Sequence, residues 1–197
     1  LLGDTPLVSL KTLQKLLHTT NTHQMGLITL TTTHPFGLGR ILRDQYGKVI
    51  QIVEEKEATP EQKKIKEVNS GIFYVPVKLL RRWLPKIKKM NAQGEYYLTD
   101  IITMAVEEKI EIVTLPLTID GEMQGVNDRV QLAKLERFFQ QSAAEKLMLS
   151  GVTIRDPNRF DLRGKLVAEK DVIIDIDVIL EGKNTIGANS FIGPHTI

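Results

Sequence analysis

The groups in this sequence that can do chemistry are oxygen and amide donors, with no thiol among them. Gly3-Asp4 sits where a strand of an α/β sheet would hand over to its ligand-binding edge. The carboxylate is a hard oxygen ligand of the kind that holds magnesium jointly with phosphates. Gly and Asp also adjoin in ordinary turns, and the dipeptide alone does not separate the two readings. Gly37-Leu38-Gly39-Arg40-Ile41 spaces two glycines so that backbone amides can approach a ligand closely, although a plain loop before a strand has the same pattern. Glu54 and Asn69 fall at predicted strand ends, where a carboxylate and an amide either fix the hydroxyl and amide groups of a sugar or serve as turn residues. The run Gln93-Gly94-Glu95-Tyr96-Tyr97-Leu98-Thr99-Asp100 is polar and aromatic, leads into an amphipathic helix, and is not accounted for by core packing alone.

The elements that must position these residues alternate between strand-like and helix-like from Thr5 to Leu117, the layout of helices packed on a mixed sheet. Leu10, Leu13 and Leu17 recur at helical spacing, residues 25–32 read as a strand, and residues 40–54 read as a hairpin turning near Tyr46-Gly47. A further strand is predicted over 68–75 and a helix over 77–84, stopped by Pro85. Leu98, Ile101, Ile102, Ala105 and Val106 form one helical face with Thr99 near its start, and residues 110–117 return as a strand. After Gly125 a helix runs to Gly151. Leu132, Leu135, Phe139 and Leu147 are its expected seam, Asn127 its expected cap and Gly151 its stop.

Beyond Gly151 the period changes to six: Leu162, Ala168, Ile174, Leu180, Ile186 and Ile192 share one spacing. Val172, Val178, Asn184, Ser190 and Thr196 fill a second inward position, and Gly187 and Gly193 are expected at the tight corners. An antiparallel sheet would give period two, so the pattern predicts stacked coils of a parallel β-helix. Ile173, Ile179 and Phe191 face outward and are apolar enough to meet a neighbour.

Composition narrows the remaining choices. In 197 residues, 26 basic and 24 acidic side chains leave a formal charge of +2 with no sustained basic stripe, which argues against nucleic acid. The absence of cysteine excludes disulfides and thiolate metal sites, and His18, His23, His34 and His195 have no ligand spacing. No apolar run reaches the roughly 20 residues of a membrane span, and the first residues have no signal-peptide pattern, so a cytoplasmic protein is expected. The chain starts without methionine and stops in mid-hexad, the features expected of a section of a longer protein.

Seven segments together resemble a known family. They are Leu2-Gly3-Asp4-Thr5-Pro6-Leu7, Gly37-Leu38-Gly39-Arg40, Ile52-Val53-Glu54-Glu55-Lys56, Glu67-Val68-Asn69-Ser70-Gly71, Asn91-Ala92-Gln93-Gly94-Glu95-Tyr96-Tyr97-Leu98-Thr99-Asp100, Gly125-Val126-Asn127-Asp128-Arg129 and Phe160-Asp161-Leu162-Arg163-Gly164. In this order and spacing they are similar to the bifunctional bacterial N-acetylglucosamine-1-phosphate uridyltransferase/glucosamine-1-phosphate N-acetyltransferases, over nearly the whole chain. The resemblance implies an α/β, nucleotide-diphospho-sugar transferase (Rossmann-like) mixed sheet, present in part over residues 1–129. It is followed by a linker helix over 130–150 and the first coils of a left-handed parallel β-helix of hexapeptide repeats over 151–197.

The same resemblance implies that Asp4 and Asn127 hold Mg2+. Gly3, Gly39, Glu54, Asn69, Tyr97, Thr99 and Asn127 would then bind UDP-N-acetylglucosamine. The reactants would be UTP and N-acetylglucosamine-1-phosphate for the uridyl transfer and acetyl-CoA for the acetyl transfer, in a homotrimer serving peptidoglycan and lipopolysaccharide synthesis. Leu2 and Leu38 stand where the family usually has tyrosine, and Glu55 where it usually has histidine. No catalytic residue of the acetyl transfer falls in this chain by that alignment, and the 197 residues alone are expected to catalyse neither step. Two other readings share parts of the pattern: a β-helical sugar-1-phosphate nucleotidyltransferase using ATP or GTP, and a non-catalytic trimerising scaffold.

Overall fold

The computed structural model describes residues 3–89, 91, 93–117 and 121–197. Leu2 and Ala92, which belong to two of the motif segments, lie outside the described residues. The chain divides into two compact units, Leu1–Gly125 and Val126–Ile197.

The first unit is built on a five-stranded sheet: β1 (Met25–Thr31), β2 (Arg40–Arg43), β3 (Val49–Val53), β4 (Glu67–Tyr74) and β5 (Ile112–Leu117), in the order β3-β2-β4-β1-β5. Only the β1–β5 pair is parallel; β1–β4, β2–β3 and β2–β4 are antiparallel. Six of the seven residues of β1 are buried, as a central strand covered on both faces requires. On one face Met25 and Leu27 pack with Ile41, Ile52, Trp83, Ile101, Ile102 and Ala105. On the other, Ile28 and Leu30 pack with Leu16, Val68, Ile72 and Leu115. The helices are α1 (Leu10–Thr19), α2 (Val77–Trp83) and α3 (Asp100–Glu107), and α2 passes into a 3-10 turn at Leu84–Lys86 where Pro85 interrupts the ladder.

These elements match the expected ones closely in kind and position, with differences in which faces are buried. Helix α1 turns Thr12 and Leu16 inward, with Leu13 packed beside them, while Leu10 and Leu17 are exposed. Asn69 is the third residue of β4 rather than its end, and a bulge on that strand separates it from Phe73. Gly71, at φ +76°, makes the bulge possible, and its N–H donates to Asn69 Oδ1 at 2.9 Å.

In the second unit, α4 (Arg129–Leu149) is capped by Asp128 and not by Asn127: Asp128 Oδ1 accepts from the Gln131 N–H at 2.7 Å. A carboxylate at that position also opposes the positive end of the helix dipole, which an amide does not. The buried stripe is Leu135, Gln140 and Ala144, with Leu147 packed beside it, whereas Leu132 and Phe139 are 52% and 42% exposed. Gln140 turns the helix to this face. Its Oε1 accepts from the Leu162 N–H at 2.7 Å and its Nε2 donates to the Leu162 carbonyl at 3.2 Å, satisfying a strand backbone that α4 covers.

Beyond α4, the short strands β6 (Thr153–Ile154), β8 (Ile173–Ile174) and β10 (Phe191–Ile192) pair in parallel in the order β10-β8-β6, and β7 (Phe160–Ala168) pairs in parallel with β9 (Val178–Ile186). Phe160 pairs with Val178, eighteen residues on, but Thr153 pairs with Ile173, twenty on. The two extra residues are taken up around the 3-10 turn Pro157–Arg159, which explains why the six-residue pattern begins only at Leu162. Val172, Ile174, Val178 and Leu180 are buried, with Leu162, Ala168, Ile186 and Ile192 packed against them. The corners differ from expectation: the left-handed backbone falls at Asp171, Asp177, Gly182, Asn189 and His195, not at Gly187 or Gly193. Short polar side chains tolerate that conformation better than most residues, so apart from Gly182 the corners need no glycine.

Gly164 and Gly182 are stacked partners in β7 and β9, and a Cβ on Gly164 would overlap the carbonyl of Gly182. Gly164→Ala is therefore expected to cost about 2 kcal/mol or more, roughly 5 °C in melting temperature by calorimetry. Gly187→Ala, whose added carbon meets nothing within 4 Å, serves as the neutral control. Equal melting of the two variants would contradict the stacking.

Candidate functional site

Four of the expected residues come together where β2, β3 and β4 meet the start of α3. Gly39 immediately precedes β2, and its carbonyl accepts from the Asn69 N–H at 2.8 Å, tying the glycine loop to β4. A Cβ on Gly39 would stand 2.8 Å from Ile52 Cγ2 and 3.3 Å from Glu54 Oε1, so only glycine lets the end of β3 close this tightly on the loop. Glu54 Oε1 in turn accepts from Thr99 Oγ1 at 3.3 Å. Thr99 is the N-cap of α3 yet makes no capping bond with its side chain. Its hydroxyl points to the carboxylate instead, forgoing a cap that typically contributes about 1 kcal/mol.

Tyr97 is held by a short relay that leads back to Lys56, two residues after Glu54. Lys56 Nζ donates to Gln93 Oε1 and Gln93 Nε2 donates to the Tyr97 hydroxyl, both at 2.7 Å. Asn91 shapes the loop by accepting from the Gln93 and Glu95 N–H groups at 3.2 and 3.1 Å. Beside it, Tyr97 and Asp100 line an open pocket of about 360 Å³ with Glu57, Lys86 and Lys88.

The electrostatics of this corner are unusual for exposed polar residues. Burial pushes the Glu54 carboxyl above its ordinary range against the opposing Thr99 hydrogen bond, and the Glu57 and Asp100 carboxylates add to the rise. Asp100 is raised too, by burial and by Glu57. A carboxylate kept in an environment that disfavours its charge is held there by geometry, a common property of binding sites.

Gly3 and Asp4 lie in an exposed turn. The Asp4 carboxylate oxygen is 3.7 Å from the position of a Cβ on Gly125, so within the first unit it approaches the segment two residues before Asn127 in the chain. Asn127 belongs to the second unit. Among the described residues no group of three or more His, Asp or Glu is placed to hold a metal. An exposed carboxylate such as that of Asp4 suits an ion that takes most of its ligands from phosphate and water.

Sequence reasoning missed two contributors to this corner: Lys56 with its relay, and Arg40. Arg40 is 1% exposed, donates to the Leu38 carbonyl and pairs with Glu55. The signal lay in a charged residue opening the strand directly after a glycine loop.

No family model matches the chain. In sequence the chain is similar to proteins described as bifunctional. The relatives are Bifunctional protein GlmU of Francisella tularensis subsp. novicida (strain U112) and of Francisella tularensis subsp. tularensis (strain SCHU S4 / Schu 4), each 52% identical over 188 residues, or 95% of this chain. The resemblance carried by the motif segments is thus matched by named relatives, of whose length the chain spans 41%. Among solved structures, mannose-1-phosphate geranyltransferase from Thermus thermophilus is 15% identical over 92% of this chain and 55% of that one, with a TM-score of 0.33.

The raised Glu54 carboxyl gives a prediction whose sign is fixed. Where the folded group holds its proton more tightly than the unfolded one, stability falls as pH rises through the carboxylate's ordinary range up to its raised folded value, and the penalty persists above it. Glu54→Gln is therefore expected to melt about 2 °C higher than the parent at pH 7–8, with the gain shrinking towards pH 4. A melting difference independent of pH would contradict the burial of this charge.

Proposed function

We propose that this chain is the middle section of a bifunctional enzyme that makes UDP-N-acetylglucosamine, acetylating glucosamine-1-phosphate from acetyl-CoA and then transferring a uridylyl group from UTP to the product. The observation that carries the reading is the convergence of Gly39, Glu54, Asn69 and Thr99, at positions the resemblance assigns to the amino-sugar, in a chain 52% identical to GlmU over 95% of its length. Glu54 accepts hydrogen bonds from hydroxyls of the sugar, while Asn69, Thr99 and Tyr97 provide amide and hydroxyl partners that set its orientation. Gly39 offers backbone and leaves room for the ring. Held this way, the sugar's phosphate oxygen forms a bond to the α-phosphorus of UTP as the bond to the bridging oxygen of pyrophosphate breaks, so positioning does most of the work.

Asp4 and Asn127 are the residues proposed to hold Mg2+, which would supply charge neutralisation to the phosphates when bound, and Gly3 is proposed to contact UDP-N-acetylglucosamine. The domain reading follows the same alignment: residues 1–129 from the uridyltransferase, 130–150 as linker helix, and 151–197 opening a left-handed β-helix. Parallel pairing at eighteen-residue intervals, or three hexads per coil, supports the last of these. A homotrimer is proposed from the apolar positions Ile173, Ile179 and Phe191, of which Ile173 and Phe191 are exposed and Ile179 is half-buried. No helix among the described residues is long and apolar enough to cross a membrane, and the enzyme is proposed to work in the cytoplasm for cell-wall synthesis.

The test is pyrophosphate release by the full-length protein from UTP and N-acetylglucosamine-1-phosphate with Mg2+. Asp4→Asn is expected to lower kcat for this step about 100-fold or more while acetyl transfer continues unchanged, and the 197 residues alone are expected to release none. Full uridyl transfer by the Asp4→Asn enzyme would remove Asp4 from the metal site.

A further inference from the structure

The geometry points to Arg40 as a positioning residue that fixes the width of the amino-sugar site, an inference that rests on the reading above. Arg40 is the one residue of β2 that pairs with both flanking strands, with Val53 of β3 and with Val68 of β4. These strands deliver Glu54 and Asn69 to the site, and the residue before Arg40 is Gly39. The backbone of Arg40 therefore marks the junction from which all three site residues project.

Its side chain locks the same junction a second time. The guanidinium donates to the carbonyl of Leu38, between the two loop glycines, and to the carboxylate of Glu55, the neighbour of Glu54. One planar fork thus ties the glycine loop to the end of β3, across the gap in which Gly39 faces Glu54. The arrangement is costly as a mere filler: the group is buried, and its Nε has no hydrogen-bond partner. An apolar side chain would fill the same space without that penalty but would leave the Leu38 carbonyl and Glu55 unconnected. What the charge supplies is a fixed distance between loop and strand.

Weakening the fork should let the loop lift from Glu54 and loosen recognition of the sugar more than that of the nucleotide. In the full-length enzyme, Arg40→Lys retains the charge but replaces the fork with a single ammonium. It is expected to raise KM for N-acetylglucosamine-1-phosphate at least tenfold and to leave KM for UTP within twofold. Acetyl transfer, the other activity of the full-length enzyme, should be unchanged. A purely structural defect would instead lower kcat with both substrates through loss of folded enzyme, leaving each KM in place.

Should Arg40→Lys lose solubility or acetyl transfer, Glu55→Gln decides the matter, since it weakens the same tie from the exposed side; a rise in the sugar KM of threefold or more supports the inference. A sugar KM within twofold of the parent in Arg40→Lys, or in Glu55→Gln where that variant decides, overturns it. A parent enzyme that makes no UDP-sugar sinks the functional reading itself, and this inference with it.

Discussion

The missing side chain at Gly39 is the constraint on which the candidate site depends. Because nothing projects from that position, Ile52 and Glu54 at the end of β3 come within van der Waals reach of the loop, and the loop carbonyl remains available to Asn69 on β4. Any larger residue would push β3 away and separate Glu54 from Thr99. The site is therefore assembled by strand pairing and backbone contact rather than by long side chains reaching from a distance. This favours a rigid recognition surface over a mobile one.

That rigidity carries local penalties which point the same way. Thr99 gives up its helix cap to reach Glu54, Glu54 keeps a carboxyl in surroundings that oppose its ionisation, and Arg40 is buried with an unpartnered Nε. Each is unfavourable for a protein that only needs to fold, and all three border one small volume. Concentration of local unfavourable choices is the pattern expected where function overrides stability. The second unit shows no comparable accumulation among its described residues. Its buried polar residues, Gln140 and Asp175, are satisfied by the backbone of Leu162 and the N–H of Ile176, and its glycine pair at Gly164 and Gly182 serves stacking.

Much of this was legible in the sequence, for physical reasons that differ between elements. Apolar runs and turn residues located β1, the β2–β3 hairpin and α3, because burial of a periodic face leaves a periodic trace. The six-residue spacing disclosed parallel stacking, since each coil repeats the same inward positions. What could not be read were choices made by tertiary partners. Helix α4 buries Gln140 and exposes Phe139, because the surface it meets is a strand backbone with hydrogen bonds to satisfy, and periodicity registers only apolarity. Asp128 took the cap from Asn127, one position away, where both residue types are good caps. At the site, residue types marked Glu54, Asn69 and Thr99 as candidates, but the closeness of Gly39 to Glu54 needed the pairing of β2 with β3.

The most direct test is a crystal structure of the full-length protein with UDP-N-acetylglucosamine bound. The sugar is expected between Gly39 and Glu54, with its hydroxyl and acetamido groups within about 3.2 Å of Glu54, Asn69 or Thr99. A sugar bound elsewhere, with Glu54 still closed on Thr99 and Gly39 facing only solvent, would contradict the account.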